Sequence, residues 1–130
     1  MSERVRILLI DDEEIVSRRL RPALEREGYE VESFQVGKDA LASIAAKDFD
    51  IVVTDMRIDE VNGLQVLEAA RNKSSKTKVV LITGYATMEL AREALAKGAF
   101  EVLAKPFRPQ DLRDAISRAI AAADPAETHV

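Results

Sequence analysis

Four short polar groups interrupt this 130-residue chain directly after apolar runs, and their side chains are the ones equipped for chemistry: Asp11-Asp12-Glu13-Glu14, Thr54-Asp55, Thr83-Gly84 and Lys105-Pro106. Taken singly, each has an ordinary reading. Acids after a strand often cap the next helix, Asp55 suits a turn, and Lys105 suits a solvated surface. All four at the ends of apolar runs make coincidence a poor account. Three carboxylates brought together repel one another, and one takes up a proton unless cations compensate. Asp11, Asp12 and Asp55 carry −3, which a divalent ion and Lys105 would balance. Ligation by carboxylates, a main-chain carbonyl and waters suits a small hard cation, and Mg²⁺ keeps several waters while leaving room for a phosphate oxygen. Such a set is suited to phosphoryl transfer.

These groups can act together only if the fold brings their runs side by side. Short β-branched runs at 5–10, 31–34, 51–54, 79–82 and 102–104 alternate with segments of helical spacing at 15–26, 38–46, 64–72, 88–96 and 109–123. That alternation predicts an α/β protein with a parallel sheet, and the first, third and fourth runs are apolar enough for central strands covered on both faces. Ligands of such a sheet bind outside the carboxyl ends of its strands, where all four polar groups fall. The first helix carries Val16, Leu20, Ala23 and Leu24 on one side and stops near Gly28, while Pro22 within it predicts a bend or an irregularity. Thr87 is expected to cap the fourth helix, which ends near Gly98. Pro109 opens the last helix, whose apolar stripe is Leu112, Ala115, Ile116, Ala119, Ile120 and Ala123. Asp124-Pro125 ends it, giving one domain over 1–123 and a tail or linker start at 124–130.

Composition narrows the chemistry further. With no cysteine, thiolate metal sites, disulfides and cysteine nucleophiles are out, and the one histidine, His129, lies in a polar tail. A histidine-dependent triad or zinc site has no material within the fold. The 23 Asp and Glu against 19 Lys and Arg leave a net charge of −4, which argues against direct nucleic-acid binding by the domain as a whole. No apolar stretch reaches the roughly 18–20 residues of a membrane span, and no signal-peptide pattern precedes the first strand, so a cytoplasmic protein is expected.

The sequence resembles the receiver domain of bacterial two-component response regulators over nearly its whole length, from Val5 to about Ala122. The matching residues are Asp11-Asp12, the aspartate of Val52-Val53-Thr54-Asp55, Gly63 eight positions on, Thr83 with Gly84, and Lys105-Pro106-Phe107. Residues 81–107 look most like receivers of enhancer-binding transcriptional activators. The resemblance implies a doubly wound, flavodoxin-like sheet in the order 2-1-3-4-5. It implies that Asp55 accepts a phosphoryl group from a phosphohistidine on a sensor kinase or phosphotransfer protein. It also implies that Asp11, Asp12, Asp55 and the main-chain carbonyl of Arg57 hold Mg²⁺, with Glu13 assisting through water. Lys105 and Thr83 would engage the phosphoryl oxygens, with a cis peptide bond before Pro106 aiming Lys105 inward. The output face would span the fourth helix, fifth strand and fifth helix, acting on a downstream effector from a monomer or a weak phosphorylation-linked dimer. This is a signalling phosphoacceptor rather than an enzyme.

Three departures from the family pattern stand out. Val102 replaces the usual aromatic three residues before the lysine, so a swinging-ring readout is not expected. Asp59 replaces the usual proline four residues after Asp55; it is expected to be part of a solvated acidic loop, with a second cation site the lesser alternative. Arg57 and Tyr85 flank the approach to Asp55 and either are variable surface or hinder the water that hydrolyses the phosphoryl group. Three rival readings remain open. A haloacid-dehalogenase-like phosphatase needs an acid two residues after its nucleophile, where this chain has Arg57. A flavodoxin-like electron carrier needs a hydroxyl- and glycine-rich phosphate loop where the chain has Asp11–Glu14. An unphosphorylated docking receiver needs no intact site at all.

Overall fold

The computed structural model describes residues 4–11, 13–84 and 87–122, with the side chains of 14–17 excepted. Five strands, β1 (Arg6–Ile10), β2 (Glu30–Phe34), β3 (Ile51–Asp55), β4 (Lys78–Thr83) and β5 (Glu101–Ala104), alternate with five helices. The helices are α1 (Glu14–Arg26), α2 (Gly37–Ala46), α3 (Gly63–Lys73), α4 (Met88–Ala96) and α5 (Pro109–Ala121). Every strand pair is parallel and the order is β2-β1-β3-β4-β5, so the three apolar runs do form the centre.

Alternation along each central strand sorts its side chains to two covered faces. Leu8, Ile10, Val52, Val79 and Leu81 pack with Ala40, Ile44, Val66, Leu67, Ala70 and Ala94 from α2, α3 and α4. Ile7, Leu9, Ile51, Val53, Val80 and Ile82 pack instead with Leu20, Leu24, Leu112, Ile116 and Ala119 from α1 and α5. Register then fixes the sheet edge. Ile10 lies opposite Thr54 and Thr54 opposite Leu81, so the residues that follow them, Asp11 and Asp55, emerge level on neighbouring strands.

Local signals mostly act as the sequence suggests. Thr87 Oγ1 accepts the Leu90 amide at 3.1 Å, Gly28 and Gly98 take left-handed φ of 93° and 105°, and Pro109 opens α5. Two expectations need correction. Of the bend or irregularity expected at Pro22, the irregularity is absent, since α1 is helical through it; the proline is exposed, so the helical hydrogen bond its ring removes lies on the solvent side. Ile120 is 40% exposed and does not extend the buried stripe, because it sits at the shallow margin of the face beside Val5 and Lys78, past the Leu112–Ile116–Ala119 row. Ala123 and the expected helix stop at Asp124-Pro125 lie outside the described residues.

Candidate functional site

Asp55 is the last residue of a strand whose five residues are all buried, and the chain leaves it along a fixed path. The Met56 amide donates to Ile82 O at 2.8 Å and the Gly63 amide to Met56 O at 2.7 Å, folding the β3–α3 loop back on the strand end. Gly63 permits this approach. A Cβ there would stand 2.7 Å from the Asp55 carbonyl oxygen and 2.9 Å from Met56 Cα. Asn62 and Gln65 then cap α3 reciprocally, Gln65 N donating to Asn62 Oδ1 at 2.9 Å and Asn62 N to Gln65 Oε1 at 2.8 Å. Thr54 is buried and its hydroxyl donates to the Asp55 carbonyl at 3.0 Å.

The Asp55 carboxylate is held from two sides. Oδ2 accepts from Lys105 Nζ at 2.5 Å, and Oδ1 lies 3.3 Å from the donating Arg57 amide. Asp11, 1% exposed, follows β1; its amide donates to Phe34 O at 3.1 Å and its Oδ1 accepts the Glu13 amide at 2.7 Å. That bond pairs the amide of Glu13, the residue that precedes α1 and whose own side chain does not cap the helix. Glu13 Oε1 stands 3.7 Å from Lys105 Nζ. Thr83, 3% exposed, ends β4, and its carbonyl accepts the Lys105 amide at 2.8 Å, which locks the two residues together through the backbone. The Lys105-Pro106 bond is cis, as the resemblance implies.

Charge decides the state of Lys105. Partial burial alone would push its pKa down, but the hydrogen bond to Asp55 and the charges of Asp55, Asp11 and Glu13 outweigh that, holding it above the usual lysine value. One ammonium faces more than one carboxylate, so the site carries an excess of negative charge. Two buried carboxylates at one strand edge form an oxygen-only donor set, which fits a hard divalent cation. Among the described residues, no three acidic, histidine or cysteine side chains gather as a metal site. Asp12, the third expected carboxylate, lies outside the described residues, as does Tyr85. Arg57 is exposed at the mouth of the site and pairs with Asn62 across the loop as an isolated antiparallel bridge.

Asp59 and Glu60 are exposed in the β3–α3 loop, as expected of a solvated acidic loop, but Asp59 is also tied down: its Oδ2 accepts the Gly37 amide at 3.0 Å and its Oδ1 accepts the Val61 amide at 2.9 Å. The Val61 and Gly37 bonds, helped by the nearby charge of Lys38, hold its pKa below the usual aspartate value. Sequence reasoning missed this tie because Gly37 lies 22 positions away with nothing in its neighbours to mark it. Val102, at the position of the usual aromatic, pairs with Leu81 and packs half-buried against the α2–α3–α4 side of the core. An open depression of about 460 Å³ adjoins Lys105, lined by Glu13, Arg19, Leu20, Pro106 and Phe107 among others.

Comparison with known proteins agrees with this geometry. The family model of the response regulator receiver domain matches residues 7–117. The regulatory protein AtoC of Escherichia coli (strain K12) is 38% identical over 115 residues, 88% of this chain, and the chain spans 25% of that protein's length. A CheY-like receiver domain protein from Methanospirillum hungatei JF-1 has a similar structure, with a TM-score of 0.86 and 31% identity over 92% of this chain and 95% of that one. A response regulator from Burkholderia pseudomallei, with a phosphorylated aspartic acid, a calcium ion and citrate, has a TM-score of 0.80 and 28% identity over 97% of this chain and 76% of that one. With the strand order, the site at the strand ends and these likenesses in agreement, the chain belongs to the response regulator receiver domains, the signalling domains of two-component systems.

Proposed function

We propose that this domain takes a phosphoryl group onto Asp55 from the phosphohistidine of a sensor histidine kinase or phosphotransfer protein, in a Mg²⁺-dependent reaction. The observation that carries the reading is the clamp of Lys105 Nζ on Asp55 Oδ2 at a buried strand end, with buried Asp11 level with it on the next strand. A carboxylate oxygen of Asp55 forms a bond to phosphorus as the P–N bond of the partner breaks, and the bonding pair stays on the imidazole nitrogen. Asp55 is left as an acyl phosphate. Asp11, Asp12, Asp55 and the Arg57 carbonyl would hold the metal, with Glu13 reaching it through water. When bound there, Mg²⁺ would supply positive charge to balance that gathering on the phosphoryl oxygens.

The chain's own residues do the positioning. Lys105 already stands within reach of the oxygens that Asp55 would acquire, and Thr83, fixed beside it through the backbone, offers a hydroxyl to one of them. New bonds from Thr83 and Lys105 to the phosphoryl group bias an arrangement of α4, β5 and α5 toward the state that binds the effector. Met88 and Leu95 on α4 and Ile120 on α5 are exposed on these elements, ready to meet an effector domain or a second copy in a weak phosphorylation-linked dimer. Because Val102 is a packed aliphatic, this switch runs without a swinging aromatic ring. The depression beside Lys105 gives the donor's histidine an approach. The phosphorylated aspartate and bound calcium of the Burkholderia pseudomallei regulator support the same chemistry here. Receiving a phosphoryl group from a sensor kinase would place the domain in the cytoplasm. Among the described residues no helix is long and apolar enough to cross a membrane.

Incubation with Mg²⁺ and a small phosphodonor, followed by intact-mass measurement, tests the reading. The wild-type chain is expected to gain one hydroxylamine-labile phosphate and Asp55→Asn none. A wild-type chain that stays unmodified would indicate a docking module, and sustained hydrolysis of phosphate esters a phosphatase.

A further inference from the structure

We infer that Asp59 is a positioning residue for the metal site, tying the tip of the β3–α3 loop to the N-terminus of α2 and thereby fixing where the Arg57 main chain sits. The loop closes on itself below that tip. Arg57 bridges Asn62, the Asp59 amide donates to Val61 O at 3.4 Å, and the Gly63 amide returns to Met56 O. The Asp59 carboxylate carries a hydrogen bond from this unit to α2. One oxygen accepts from Val61 inside the loop at 2.9 Å and the other from Gly37, the first residue of α2, at 3.0 Å.

Both partners of the tie are shaped for it. α2 begins after Val36, which offers no side-chain cap, so its first amides need an acceptor from elsewhere, and a carboxylate there also suits the positive end of the helix. Gly37 has no left-handed φ, so its lack of a side chain answers to space rather than to backbone freedom. A Cβ on Gly37 would stand 2.5 Å from Val61 Cβ and 2.8 Å from Asp59 Oδ1. The proline that receivers usually carry at this position has no side-chain acceptor, so the tie is a property of this chain. It matters to function through Arg57, two residues before Asp59, and it rests on the reading that the Arg57 carbonyl is a metal ligand.

The test is a Mg²⁺ titration by calorimetry on the full chain, comparing wild type with Gly37→Ala, Asp59→Glu and Asp59→Asn, each checked for folding by circular dichroism. Gly37→Ala and Asp59→Glu keep every negative charge, so a loss of affinity in them comes from displacement of the loop and not from a weaker electrostatic field. Groups that orient metal ligands typically change affinity by about 10–100-fold, and since a single carbonyl is at stake here a loss of about tenfold is expected in the charge-preserving variants. Asp59→Asn keeps one acceptor oxygen but cannot serve both amides, and it is expected to lose at least as much. Wild-type affinity in the folded charge-preserving variants overturns the inference, even if Asp59→Asn weakens binding, because charge alone would then explain the effect. If one of the two does not fold, the other decides. A wild-type chain that binds no Mg²⁺, or takes no phosphate on Asp55, removes the functional reading itself and this inference with it.

Discussion

At the residue scale the site is a contest between burial and pairing, and pairing wins at Lys105. Its side chain is 28% exposed and that of Asp55 8%, so neither charge is fully solvated and each depends on the other. Folded Lys105 keeps its proton to a higher pH than an unfolded lysine, whose value is near 10.5. The contact therefore adds stability that is fully present below that pH and is lost as pH rises through the folded value. Lys105→Gln removes this linkage. Urea midpoints of wild type and variant, measured from pH 8 to 11.5, are expected to differ by a constant amount up to about pH 10 and to converge above it. A gap that stays constant to pH 11.5 would show that Lys105 is not held by its acidic neighbours.

At the element scale, Gly63 shows how a helix start can set a reactive group. α3 begins against the carbonyl of Asp55, and the capping exchange between Asn62 and Gln65 pins that start. Gly63→Ala forces a methyl group into backbone at Asp55 and Met56, which cannot swing aside as a flexible side chain would. A cost of about 1–3 kcal/mol in urea unfolding is expected, together with slower phosphorylation of Asp55. Wild-type stability and rate would show that the strand end and helix start adjust independently. The elements themselves were legible in the sequence because the physics that forms them is local: Thr87 caps, Pro109 starts, Gly28 and Gly98 stop, and three mainly apolar runs become β1, β3 and β4. What was not legible depends on distant partners. The tie that holds the exposed loop acid Asp59 was hidden because Gly37 reveals itself only in three dimensions, and Ile120 looked like core because its helical spacing continues a buried stripe at whose margin it is exposed.

At the scale of the whole molecule, two layers of helices hold a parallel sheet, and Asp11, Asp55, Thr83 and Lys105 lie at or just past the carboxyl ends of its strands, on one edge. That the described candidate residues gather at one edge was readable because each ends a strand or its apolar run, and parallel order carries all such ends to the same side. The proposal that Asp55 is the carboxylate that reacts rests on its surroundings rather than on the order. Asp11 gives an oxygen to the Glu13 amide and Asp59 gives both to loop and helix amides, whereas Asp55, which accepts the Arg57 amide through Oδ1, meets through Oδ2 the ammonium of Lys105, a residue that lines the depression. The central claim is thus that one carboxylate of this edge, Asp55, is the phosphoacceptor. Reductive trapping of the phosphorylated protein with borohydride, which converts an aspartyl phosphate to homoserine, followed by peptide mapping, reads that residue directly. Homoserine at position 55 alone is the expected result; homoserine at 11 or 59, or at no position after exposure to Mg²⁺ and phosphodonor, would contradict it.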